Sequence, residues 1–259
     1  MKGLMIKDLM CMRRQLILFG YVVVSVLVLS VLYVLSCKYG NLALANVQMM
    51  RENGLTEVDI RNLSTWVLAL FMLLPIAVTG DVATVFRMDG EAGFAKVSAS
   101  LPLSVEKRVI ARYLTVFSVF GIGVGIDVLL ALVLSFLTDI IIFADIIGII
   151  LSAASVMSIY GALTIVFCFW LGNGKEDYAS LLSCLLMVGT VCLVNFRKIR
   201  DIFMAGMDGQ DAGATGDRLN VLMDFLKYRF YLLCLLAALV LFLSYLGAVG
   251  IARRKRGII

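Results

Sequence analysis

Apolar residues in this chain come in long blocks separated by short polar intervals. Crossing the hydrocarbon core takes about 20 apolar residues in a helix. Six blocks approach or exceed that length: residues 16–36, 63–80, 109–137, 140–169, 178–196 and 230–251. The third and fourth meet within "LTDIIIFAD", where Asp139 and Asp145 are the only charges, so a tight hairpin is predicted there. The pattern predicts an all-α polytopic membrane protein with six transmembrane helices, forming one membrane domain over residues 1–259.

The polar intervals carry patterns of their own. In "MKGLMIKDLMCMRRQ", Met5, Leu9, Met12 and Leu16 recur at helical spacing, with Lys2, Lys7, Arg13 and Arg14 around them. Such a stripe predicts an N-terminal interfacial helix on the inner leaflet, held by anionic headgroups. The break between the second and third blocks contains "FRMDGEAGFAKVSASLPLSVEKR". There Asp89 is read as an N-cap and Glu91 as a first-turn acid, followed by Phe94, Val97 and Leu101 on one edge, with Lys96 beside them. Pro102 ends that short helix, and Ser104 and Glu106 suit the start of the next. A helix–turn–helix knob is larger than a connection requires, which predicts a docking surface. Before the last block, the Gly-rich "AGMDGQDAGATGD" leads to Leu219, Leu222, Met223 and Leu226 behind Asp217, a capped amphipathic helix on the outer side. A weaker amphipathic piece is expected near Met49.

Composition agrees with the blocks. The 259 residues are 62% hydrophobic and 16% charged, with a mean hydropathy of +1.01; soluble domains run nearer 45–50% apolar and 25% charged. With no histidine, the commonest general base and zinc ligand is absent. The six cysteines are scattered and form no CxxC pair, so neither a disulfide framework nor a metal site is predicted. The only Gly-Lys, in "LGNGKED", has Phe169 and Glu176 where a phosphate-binding loop needs glycine and Ser or Thr. "GIGVG" at 121–125 lies inside an apolar block and predicts close helix packing. Placing both termini inside puts 14 of the 23 Lys and Arg on the inner side, and the "ARRKRG" tail is the strongest anchor for that orientation. Asp127 stands within the third block. An acid at that depth makes a helix–helix hydrogen bond or takes part in substrate or proton passage.

"MKGLMIKDL" before the first span, and "F…D.E…F.KVSASLPLS..KRVIARYL" between the second and third, resemble the permeases of ABC-2 type ABC transporters. The resemblance extends over the layout of the chain, toward a subgroup of small bacterial permeases that includes peptide and toxin exporters. It implies that the segment carrying Asp89, Glu91, Phe94, Lys96, Val97 and Leu101 is a cytoplasmic coupling helix that contacts an ATPase. It implies a non-catalytic subunit in a bacterial plasma membrane, with both termini cytoplasmic. Its partners would be two ABC ATPase subunits, which hold the ATP and magnesium, and a second permease chain, identical or homologous. No cofactor is expected in this chain and no nucleic-acid partner. The implied activity is export of an amphipathic or hydrophobic substrate. The alternative is a stand-alone carrier or channel, which would favour paired intramembrane charges or inverted repeats.

Overall fold

The computed structural model describes residues 2–39, 67, 70–91, 104–137, 143–172, 174–194 and 230–256. These residues form helices joined by turns, with no strand among them. The helices are α1 (Lys2–Cys11), α2 (Arg13–Tyr39), α3 (Ala83–Glu91), α4 (Val105–Leu137), α5 (Phe143–Leu171), α6 (Glu176–Val194) and α7 (Phe230–Arg256). Residues 70–79 form a further helical stretch directly before α3.

Five stretches among the described residues are long and apolar enough to cross a membrane: Arg13–Tyr33, Leu70–Glu91, Val105–Phe136, Phe143–Leu171 and Phe230–Arg254. They coincide with five of the six expected blocks. The remaining block, 178–196, coincides with α6, which is not among the five. Glu176 and Asp177 occupy its first turn, leaving ~26 Å of apolar helix at 1.5 Å per residue. The expected amphipathic helix at Leu219, Leu222, Met223 and Leu226 and the piece near Met49 lie outside the described residues.

α5 is the central helix: α7, α6, α4 and α3 all pack against it. In lipid, helices gain little from excluding water, so close van der Waals packing holds them together. One core joins Met72 and Ile76 with Phe120, Ala131 and Leu134 of α4 and Ile146, Ile150 and Ala154 of α5. Gly123 allows the close approach of α4 there. A Cβ at that position would sit 2.6 Å from Thr79 Oγ1, too near for any side chain. The packing role expected for the "GIGVG" run thus falls on Gly123, since a Cβ at Gly121 or Gly125 would meet nothing within 4 Å. The outer faces are apolar as well: Tyr21, Val24 and Leu32 of α2 and Leu235, Leu239 and Phe242 of α7 are exposed, as a bilayer requires.

Local chemistry explains the helix ends. The residue Gly172 has a φ of 86° and its amide donates to the Cys168 carbonyl (3.0 Å). This is the left-handed C-terminal stop that glycine adopts without strain. The turn then delivers Glu176 at the start of α6, whose Oε1 accepts from the Gly174 amide at 2.8 Å. The "LGNGKED" run is therefore an inter-helix turn. At the start of α4, Ser104 Oγ lies 3.4 Å from the Lys107 amide, the cap position expected from sequence.

Candidate functional site: a buried ion-pair node at the basic end

Every Lys and Arg with a described side chain lies at one end of the bundle, at the beginnings of α1, α2 and α4, in α3, at the α5–α6 turn or at the end of α7. Most are exposed there, Arg13 and Arg14 included. Lys7 and Arg112 are drawn inward instead, and with them two carboxylates.

The helix of the second block does not end where its apolar residues do. It is interrupted at residues 80–82 and resumes as α3. Asp81 opens the new helix, its Oδ2 accepting from the Thr84 hydroxyl at 2.5 Å. The break frees main-chain carbonyls, and Gln15 of α2 donates its Nε2 to two of them, Val78 at 2.8 Å and Asp81 at 3.2 Å. The break also aims the inner face of α3, bearing Val85, Phe86 and Asp89, into the protein.

Asp89 thereby meets two cations. Lys7 Nζ of α1 donates to its Oδ1 at 2.6 Å, and Arg112 Nη2 of α4 donates to its Oδ2. Asp8 completes the group: its Oδ1 lies 2.8 Å from Lys7 Nζ and 3.0 Å from Arg112 Nη1. Two positive and two negative side chains thus tie α1, α3 and α4 together. The Arg112 guanidinium also lies 4.9 Å from the centre of the Phe86 ring, an attractive cation–π arrangement. Phe86 in turn meets Phe169 of α5 edge-on, with ring centres 5.6 Å apart. Met12, Val85, Val116 and Ile165 belong to the same buried cluster.

The node is nearly closed to water. Side-chain exposure is 4% for Asp8, 8% for Asp89, 14% for Arg112 and 20% for Lys7. Burial pushes the Lys7 amine below its ordinary range, against the opposing hydrogen bond to Asp8. Asp8 Oδ1 and Arg112 Nη1 are within ion-pair distance of each other but lack hydrogen-bond geometry. A buried network satisfied only in part contributes less to stability than to fixing which groups meet. Its consequence is geometric: α3 cannot move without displacing partners on α1 and α4.

The position of Asp89 corrects one expectation. It stands in the last turn of α3 and not at an N-cap, because two buried cations compete for its carboxylate. Glu91, the last residue of α3, is exposed. Phe94, Lys96, Val97 and Leu101 lie outside the described residues. Lys2 belongs to α1, with its side chain outside the described set. Lys7 is committed to the node while Ile6, Leu9 and Met10 are exposed on the outside of α1, so this helix turns charge inward and apolar groups outward. Four cysteines, Cys11, Cys168, Cys184 and Cys234, are free.

Sequence reasoning missed Asp8 and the role of Arg112. Two signals could have found them. Asp8 is the only acid before Glu52, and Arg112 is a cation several residues inside an apolar block. Each is costly alone, and each answers the other.

Asp127 belongs to a different setting. It is fully buried, and neither carboxylate oxygen has a hydrogen-bond partner.

A helical bundle with apolar outer faces, basic residues gathered at one end and a charged joint inside that end defines an integral membrane protein. The chain matches the model of the ABC-2 family transporter proteins over residues 59–252, well over half its length, and it belongs to that family: it is the membrane permease of an ABC transporter. Such a permease associates with an ABC ATPase and with the membrane. Comparison with curated proteins and with solved structures returned no match.

Proposed function

We propose that this chain is the transmembrane half of an exporter in which the ion-pair node passes force from an ATPase to the spans. The observation that carries the reading is Asp89. It stands in the last turn of a helix that continues the second span and is bonded to Lys7 of α1 and to Arg112 of α4. The segment immediately after it, with Phe94, Lys96, Val97 and Leu101, is the coupling segment that seats on the ATPase, with Glu91 at its near edge. A push on that segment reaches α3, and the node delivers it to α1 and α4 together.

The basic end faces the cytoplasm, in keeping with the positive-inside rule, so both termini are cytoplasmic and the membrane is a bacterial plasma membrane. α1 lies in the inner leaflet, its exposed Ile6, Leu9 and Met10 toward lipid and Arg13 and Arg14 at headgroups. α6 is the remaining span, making six. Two permease chains and two ATPase chains assemble, with ATP and magnesium on the ATPases. The amphipathic or hydrophobic cargo, a peptide, toxin or drug, passes outward between the permease halves. The helix around Leu219, Leu222, Met223 and Leu226 covers the exit. ATP binding shifts the population from inward-open to outward-open states.

Affinity purification from native membranes tests this reading. An ABC ATPase, identified by mass spectrometry, should accompany the chain in equal number. Replacing Glu91 and Phe94 together by alanine should release it while the permease stays folded. Retention of the ATPase by that variant, or labelling of a cysteine at position 91 from the cell exterior alone, would refute the assignment.

A further inference from the structure

Asp127 is the one charged-type side chain among the described residues that is fully buried with both carboxylate oxygens unbonded. Its place in the fold explains how severe that is. On α4 it falls in the stripe Phe120, Val124, Ala131 and Leu134, which packs into the apolar core with Met72, Ile76 and Ile150. The helical rise puts it ~22 Å along α4 from Arg112 and ~15 Å from the end at Leu137. The described basic side chains are all at the far end.

Among the described residues, the neighbouring elements offer no counter-charge. Residues 70–79 contain no titratable group. α1 brings only Lys7 and Asp8 of the node, along with Cys11, all at the far end. Among described side chains, α2 brings Arg13 and Arg14 at the far end and Tyr21 and Tyr33, α5 brings Asp145, Tyr160 and Cys168, and α7 brings Tyr231, Cys234, Tyr245, Arg253 and Arg254. None of these is hydrogen-bonded to either Asp127 oxygen. The Thr79 hydroxyl, which faces α4 one turn before Asp127 at Gly123, gives its hydrogen to the Pro75 or Ile76 carbonyl. It is left with acceptor capacity only. Ser30 of α2, a helix packed on α4, is buried too, and its hydroxyl, unlike that of Thr79, has no hydrogen-bond partner.

An ionised carboxylate in such surroundings is costlier by far than a neutral acid, so the group binds a proton instead. A metal ion would need several further oxygen ligands, and no cluster of three or more candidate acidic or sulfur ligands occurs among the described residues. The geometry points to Asp127 as a proton-binding site: in this packed arrangement of residues 70–79, α4 and α5 it is held as the neutral carboxylic acid. When the core opens and water enters, its O–H bond breaks, the proton passes to water, and the carboxylate that remains opposes reclosure. Proton release and core opening are then one linked step, whatever drives the opening.

Infrared spectroscopy of the full-length protein in lipid, with carbon-13 label in aspartate, tests this directly. At neutral pH the spectrum should contain a protonated-carboxyl band that shifts with the label and vanishes in Asp127→Asn. Should that variant fail to accumulate, Asp127→Glu, which moves the band out of the labelled set, makes the same assignment. Thermal unfolding supplies the linkage. The wild type should lose stability as pH rises from mildly acid to mildly alkaline, and Asp127→Asn should lose much less. A band absent at neutral pH, or parallel stability profiles for the two proteins, would overturn the proposal. So would loss of dimer in Asp127→Asn together with an ionised carboxylate, the signature of a basic partner on a second copy.

Discussion

Two sites that bury acids lie at different depths along α4, one around its Arg112 and the other at its Asp127, and they obey opposite rules. At the basic end, Asp8 and Asp89 are answered by Lys7 and Arg112. Fifteen residues further along α4, Asp127 has no answering charge among the described residues. In the first place burial turns four charges into a joint between three elements. In the second, burial leaves a group that must hold a proton to stay where it is. A carboxylate in an apolar bundle is therefore informative mainly through its neighbours, and only the fold supplies them.

The comparison can be broken most severely at Asp89. Asp89→Ala leaves Lys7 and Arg112 facing each other with only Asp8 between them. It should cost about 3–5 kcal/mol, the usual penalty for orphaning a buried charge. Thermal unfolding in detergent reads the loss, and a shift no larger than that of a surface mutation would remove the node from the account. Gly123→Ala comes next. The added Cβ would lie 2.6 Å from Thr79 Oγ1, and overpacking of this kind costs about 1–3 kcal/mol. The double variant Gly123→Ala, Thr79→Ala should recover much of it, which a helix-propensity effect alone would not predict. Arg112→Lys keeps the charge but gives up the two-pronged contact to Asp8 and Asp89 and the cation–π contact with Phe86. A loss of about 1–2 kcal/mol is expected. Smallest is Glu106→Gln, which removes the exposed pair with Arg253 at the ends of α4 and α7. Less than about 1 kcal/mol is expected, declining further with added salt.

The coarse fold was legible because lipid imposes a simple rule. Backbone groups must bond within the helix, and side chains facing hydrocarbon must be apolar. Five expected blocks coincide with membrane-length stretches for that reason. Ser104 was legible as a cap because capping depends on residues three positions apart. The node was not. Asp89 looked like an N-cap on local grounds, since an acid before a helical pattern stabilises its first turn. Local grounds lost to two cations arriving from residues 7 and 112. The break at 80–82 was equally hidden, because the residues that satisfy it include Gln15 from another helix.

By itself the sequence determined that this protein crosses the membrane as helices, that its positive charge gathers toward one side, and which family it resembles. Each of these follows from composition and spacing over stretches of about 20 residues or fewer, where neighbours along the chain decide. Tertiary structure alone decided that Asp8, Lys7, Asp89 and Arg112 form one group and that Asp127, among the described residues, is left out of any. The free energy of a buried charge depends on what stands within a few ångströms of it, and those neighbours come from distant parts of the chain.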